Sequence, residues 1–364
     1  MEERAAVMRM KKIICLMLAG SCILSACSRS AESESETSAV DTTQEENQVL
    51  SLSVATVGNW EGIVRGKVFD EYAEKLSEWS DGTMEIKLYD AGSLGDDKDL
   101  IEGVKLGTLN IINSCPAYQT DVVPEAALLD APGLYTSIEQ YNIMMESGYM
   151  DVMQQYYNDA GLQLLGSFAY TFRQMSSNKP AQTLADLQGL RIRTMENRYH
   201  EIYWQAMGAT SIPLVFSELY MALSQDTMDA QENSIYNLVS SNLGEVQKYV
   251  IFTYHAPMVS SYVMNKEQYD ALTEEQQDLL HRMIDGIKAD VIANIPEEEE
   301  QNQKELSEKY GMAMLYPNTE MVMALREGSG RDAVIAALRE DLGNEKVDTF
   351  LQVLEDAARK VGEH

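Results

Sequence analysis

The sequence predicts an α/β protein built as two domains. Its 364 residues exceed what one hydrophobic core normally fills. Hydrophobic residues make up 45% of the chain and glycine usage is ordinary, which excludes a disordered or collagen-like class. Apolar residues switch repeatedly between a period near 2 and one near 3.6. That β-α-β-α rhythm belongs to parallel or mixed sheets covered by helices.

Structure is expected to begin at Val49, where VLSLSVAT suits a buried strand. Val64, Val68, Phe69, Tyr72, Leu76 and Trp79 recur at helical spacing, and Asp81-Gly82 ends that helix. Met84, Ile86 and Leu88 alternate with Glu85, Lys87 and Tyr89 as a half-buried strand. A short helix is expected over 96–105, a strand over 109–113, a helix capped by Ser137 and running to Ala160, and a strand over 163–168. Thr273 and Gln276 form a capping box before a long amphipathic helix that includes Leu279, Leu280, Met283 and Ile287. Pro296 should kink or interrupt that helix, and the acidic run Glu297–Glu300 reads as a solvated face. Two further helices, over 332–342 and 345–361, should close the chain.

The N-terminus reads as a processing segment. Arg9, Lys11 and Lys12 precede the apolar run IICLMLAGSCIL, too short for a membrane span and suited to a signal-peptide core. It ends in Leu24-Ser25-Ala26-Cys27, which resembles a bacterial lipobox; the resemblance implies cleavage before Cys27 and lipid on its sulfur. Residues 28–48, rich in Ser, Thr and Glu, read as a disordered tether. Cleavage would leave only Cys27 and Cys115, the first lipidated, so no intrachain disulfide is expected. The formal net charge of −30 argues against nucleic acid or an anionic membrane surface as partner. It leaves room for a small anion, because local cations can outweigh a remote, salt-screened surface charge.

The stretch 173–249 carries the functional signal. Arg173 and Arg193 lie at the ends of short strand-like runs, and arginine's planar fork recognises carboxylates at two points. In Leu190-Arg191-Ile192-Arg193, both arginines share one strand face and Arg193 stands nearer the strand end. By pattern alone Arg193 is better read as a surface ion pair, Asn233 as a helix cap and Phe216 as a core aromatic.

Over this stretch the chain resembles the solute-binding proteins of TRAP transporters, the tripartite organic-acid importers. Gly189, Leu190, Ile192 and Arg193 match the family's G-L-x-I-R pattern. Asp229-Ala230-Gln231-Glu232-Asn233 matches its D-G-Q-E-N-P pattern, with Ala230 for the glycine and Ser234 for the proline. Arg173 precedes the turn Ser177-Asn178-Lys179-Pro180, with Thr171-Phe172 where the family usually has a glycine. The resemblance implies that Arg193 clamps a ligand carboxylate, that Arg173 and Asn233 support it, and that Phe216 stacks on the ligand. Asn59 and Trp60 after the first strand, Ser114 after the third and Asn197 after Arg193 are further expected site residues.

The same resemblance implies a two-lobed periplasmic-binding-protein-like fold with a long helix crossing both lobes. Residues 49–170 with 259–298 would form one lobe, and 171–258 with 299–364 the other. It also implies a monomeric extracytoplasmic carrier that closes by hinge motion on a small organic anion, a sugar acid such as a uronate or a dicarboxylate. The carrier would then dock on TRAP permease subunits at the membrane. No cofactor, metal or catalytic residue is expected, since the chain holds no HExxH, P-loop, GxSxG or strand-linked GxGxxG motif. A binding protein of an ATP-driven importer, a lipid-anchored sensor subunit and a surface hydrolase are the alternatives left open.

Overall fold

A computed structural model describes residues 49–362 of the chain. The expected signal peptide, lipid site at Cys27 and tether fall outside the described residues.

Among the described residues, eleven strands form two mixed sheets. The first has the order β2-β1-β3-β10-β4, from Leu50–Ala55 (β1), Met84–Tyr89 (β2), Ile111–Ser114 (β3), Leu162–Phe172 (β4) and Pro257–Asn265 (β10). β1 lies parallel to β2 and β3, and β10 runs antiparallel to both β3 and β4. The second sheet has the order β11-β9-β5-β8-β6-β7, from Gln174–Ser177 (β5), Arg191–Thr194 (β6), Thr210–Pro213 (β7), Ala230–Asn233 (β8), Tyr249–Ile251 (β9) and Ala313–Leu315 (β11). β4 and β5 belong to different sheets and are separated by one residue, Arg173. The chain therefore passes from one sheet to the other at a predicted site residue.

The helices follow the sequence patterning with instructive exceptions. α1 (Val64–Trp79) buries Val68, Phe69, Tyr72 and Leu76. α2 (Asp97–Lys105) is closed by a reciprocal Asp96–Asp99 capping box. The helix expected from Ser137 to Ala160 is broken into α3 (Ile138–Met144) and α4 (Met150–Asp159), because Gly148 between them adopts a left-handed φ of 99°. α5 (Arg198–Ala206), α6 (Leu219–Ser224) and α7 (Ile235–Ser240) flank the second sheet.

α8 runs unbroken from Glu274 to Glu308, so Pro296 does not interrupt it. Leu280, Met283, Ile284, Ile287, Val291 and Ile295 on one stretch of α8 pack into the core with Leu52, Phe69 and Met264. Leu306, further on, packs with Leu223, Val250 and Met312 of the second sheet's core. The long helix thus joins both cores. Its acidic run is not wholly solvated: the Glu298 carboxylate accepts the Val64 amide at 2.7 Å, and Glu299 takes a hydrogen bond from Thr171. At the C-terminus, α9 (Thr319–Glu327) was not foreseen. α10 (Ser329–Leu342) packs on α5, and α11 (Asn344–Val361) packs on α3. Among the described residues no helix is long and apolar enough to cross a membrane.

Candidate functional site

A cleft between the two sheets is lined from both sides. Thr56, Val57, Arg65, Asp97, Asn113, Ser114, Cys115 and Tyr118 come from the first sheet's connections. Arg193, Met195, Phe216, Asn233, Tyr236 and Asn237 come from the second, and Arg173 stands at the crossing. Strand ends deliver much of this lining, as open α/β sheets generally do for their ligand crevices. The space open to the centre of a water-sized sphere is ≈ 60 Å³.

Arg193 on β6 is fully buried. Its Nε donates to the Leu214 carbonyl at 2.8 Å, and Nη2 reaches the Tyr118 hydroxyl at 3.5 Å. Nη1 is buried without a partner. The Phe216 ring lies 5.9 Å from the guanidinium carbon. Neither partner carries a formal charge, so the guanidinium points an unfilled donor at the cleft. Arg191 faces elsewhere, pairing with Asp229 through Nη2 at 2.8 Å and Nε at 3.0 Å while remaining partly exposed.

Arg173 is held quite differently. Its Nε and Nη2 grip the Glu232 carboxylate, Nη2 also reaches the Glu232 carbonyl at 2.8 Å, and Nη1 contacts the Met258 sulfur at 3.1 Å. His255 Nε2 lies 3.1 Å from the same carboxylate and His200 Nδ1 3.8 Å away. Burial pushes up on the Glu232 carboxyl, but Arg173 and His255 outweigh it and hold the group well below the usual carboxylate range. Burial drives His200 down to about 3, so that imidazole stays neutral, and burial lowers His255 as well, against the pull of Glu232. Arg173 is therefore charge-matched by the protein itself.

Asn233, last in β8, has its side-chain oxygen occupied twice, by the Ser234 amide at 3.0 Å and by Asn237 Nδ2 at 2.5 Å. In this arrangement its own Nδ2 is left to donate into the cleft, the orientation a carboxylate requires. The Asn237 side-chain oxygen is buried without a partner. Asn233 is not the helix cap; Ser234 holds that position.

Three expected residues stand apart from the cleft. The Asn197 side-chain oxygen caps α5 by accepting from the Tyr199 and His200 amides, and its Nδ2 donates to the Ala117 carbonyl at 2.8 Å. It thereby ties the strand end to the opposite wall. Asn59 lines two outer grooves instead. Trp60 is buried with its ring face 4.2 Å from the Arg65 guanidinium carbon. Position in sequence after a strand placed all three near the site, but Asn197 and Trp60 are taken up by local structural tasks and Asn59 opens onto other grooves.

The sequence reading missed Arg65, Asn113, Tyr118, Tyr236 and Asp97. Arg65 had a legible signal: it falls on the stripe 65, 68, 69, 72, 76 that α1 buries, where a charge is out of place. Asp97, in the first turn of α2, is buried, and that burial pushes its carboxyl up to about 7 despite the nearby Arg193. Cys115 is free, with its thiol pushed up to about 12 by burial. No cluster of three metal-ligating side chains occurs among the described residues. With Glu232 answering Arg173, the cleft keeps a surplus of buried positive charge and suits a small anion.

Comparison with known proteins bears on this geometry. Residues 60–332 match the family described as bacterial extracellular solute-binding protein, family 7. The 2,3-diketo-L-gulonate-binding periplasmic protein of Escherichia coli is 30% identical over 211 residues, 58% of this chain and 64% of that protein. The ectoine/5-hydroxyectoine-binding periplasmic protein of Ruegeria pomeroyi is 30% identical over 60% of this chain and 64% of its own length. Among solved structures, a TRAP periplasmic solute-binding protein from Roseobacter denitrificans with bound L-galactonate superposes with a TM-score of 0.76. It is 25% identical, and the match covers 83% of this chain and 99% of that one. One from Desulfovibrio salexigens with bound orotic acid gives 0.80 at 21% identity, covering 85% and 99%.

Proposed function

The chain belongs to family 7 of the bacterial extracellular solute-binding proteins, and from that premise we propose that it captures a carboxylate-bearing small molecule for a TRAP permease. The observation that carries the reading is Arg193: fully buried, facing the cleft, bonded to neutral groups and left with an unpartnered Nη1. A buried cation without a counter-ion costs several kcal/mol, and a ligand carboxylate offsets that cost. Asn233 Nδ2 then supplies a second donor and Phe216 an apolar wall, while Ser114 lines the opposite side. Arg173, occupied by Glu232, acts mainly by fixing β8 and with it Asn233.

The proposed ligands are sugar acids such as uronates, and dicarboxylates; relatives described as binding L-galactonate and 2,3-diketo-L-gulonate support that class. The lobes are proposed as 49–170 with 259–298 and 171–258 with 299–364, the last helix reaching back onto α3 of the first. A thermal-shift panel of organic acids tests the function. A true ligand at about 100 times its Kd adds roughly 2.7 kcal/mol of stability. If no acid in the panel raises the Tm, the reading fails.

We further propose that the protein is anchored outside the cytoplasm through lipid on Cys27, on the strength of the Leu24-Ser25-Ala26-Cys27 motif. A clickable palmitate analogue should label the wild type and not Cys27→Ser; equal labelling of both removes the anchor.

A further inference from the structure

Arg65 is a third buried guanidinium in the same cleft, and it forms no ion pair: Glu298, whose carboxylate accepts the adjacent Val64 amide, acts on it only at longer range. Its Nη1 donates to the hydroxyls of Tyr170 and Tyr236, the latter at 2.5 Å, and Nη2 donates to the Asn113 side-chain oxygen at 3.2 Å. The Trp60 ring covers one face. All these partners are neutral. Three of the five N–H bonds are thus engaged; Nε–H and one Nη2–H remain, and a guanidinium cannot shed its charge to escape burial. Arg173 shows what a structural arginine in this cleft looks like, because it arrives with its own carboxylate on Glu232. Arg65 and Arg193 do not.

The two uncompensated cations come from opposite sides. Arg65 sits in the first turn of α1, beside the first sheet, and its position at a helix N-terminus adds to the positive potential. Arg193 sits on β6 of the second sheet. Asp97 is the one carboxylate among the cleft-lining residues, and burial weakens its negative charge near neutral pH. The ≈ 60 Å³ open to the centre of a water-sized sphere favours a short or slender solute.

Resting on the solute-binding reading above, we propose that Arg65 is a second anion anchor and that the solute is a small dianion. One acidic group sits on Arg193 and a second, at the other end of the molecule, on Arg65. A monocarboxylate leaves one of the two guanidiniums buried and unpaired. A diacid answers both and draws the two sides of the cleft together. The site thus selects for a second acidic terminus on a carbon chain that otherwise offers the same hydroxyls.

Calorimetry on the purified protein tests this with matched pairs: tartrate against threonate, and galactarate against galactonate. In at least one pair the diacid should bind at least tenfold tighter than the monoacid. Arg65→Gln should weaken that diacid at least tenfold more than its monoacid partner, and Arg65→Lys should recover part of the preference. If the wild type binds each monoacid as tightly as its diacid, the inference is overturned while the solute-binding reading stands. Equal weakening of both members by a folded Arg65→Gln also overturns it, since Arg65 would then serve the architecture alone. If Arg65→Gln fails to fold, the wild-type pairs alone decide. Should no acid bind at all, the solute-binding reading itself fails and takes the inference with it.

Discussion

At the scale of single residues, the three arginines of the cleft differ by what pairs with them. Arg193 has no charged partner, so Arg193→Ala strands a ligand carboxylate in a buried site at a cost of about 3–5 kcal/mol. That is a loss of roughly 10²- to 10³-fold or more in affinity by calorimetry. Arg193→Lys keeps the charge but loses the planar fork, and should also bind poorly. Arg191→Ala, whose pair with Asp229 lies away from the cleft, should bind within a few-fold of wild type. Near-normal binding by Arg193→Ala would move the carboxylate site elsewhere.

Asp97 gives the site a pH dependence whose sign follows from its charge. Its carboxyl, pushed up to about 7 by burial, faces Arg193, with Asp96 and Glu196 nearby and Tyr118 and Cys115 on its own side of the cleft. Below that value it is neutral and the cleft is more positive; above it, an added negative charge opposes an anionic ligand. Anion affinity should therefore fall several-fold from pH 6 to pH 8. Glu232 stays ionised and His200 neutral through that window. Asp130, also pushed up to about 7 by burial, titrates with Asp97, so Asp97→Asn should flatten the profile without erasing it. A profile unchanged by Asp97→Asn would contradict this assignment. Arg193, Arg173 and Asn233 were legible because each sits in a spaced motif. Arg65 was passed over despite its place on the buried stripe of α1, because a charge in the first turn of a helix ordinarily reads as exposed.

At the scale of elements, α1 shows how tightly a binding residue is positioned. A Cβ on Gly66 would lie 2.0 Å from the Trp60 carbonyl oxygen, so only glycine lets α1 start hard against the loop that brings Trp60 over Arg65. Gly66→Ala should cost about 1–3 kcal/mol through this overlap and lower the Tm in calorimetric melting. An unchanged Tm would mean the loop yields freely. The capping box at Thr273 correctly announced α8, yet Pro296 did not stop it. Packing of α8 against both cores outweighs one missing hydrogen bond, which local propensity alone does not reveal. The break at Gly148 was hidden for the converse reason: the apolar spacing continues through it.

At the scale of the whole molecule, alternating strand and helix patterns fixed the class, but not which strands share a sheet. That depends on long-range pairings such as β10 with β3 and β4, which bring residues far apart in sequence side by side. Contacts across the cleft run from Ser217 to Asp96 at 3.0 Å, from Asn197 to the Ala117 carbonyl, and from Lys98 to Glu196 at 3.6 Å. Arg193 to Tyr118, Arg65 to Tyr236 and the apolar contact of Met195 with Ala117 and Tyr118 cross it too, and Arg173 joins the sheets at a single residue between β4 and β5. The proposed hinge motion would make and break these contacts as the lobes close and open. Small-angle X-ray scattering with and without the acid found by the panel tests the central claim, that two lobes close on a buried anion. The account predicts a smaller radius of gyration at saturating ligand in the wild type. A scattering curve unchanged at saturation would contradict it.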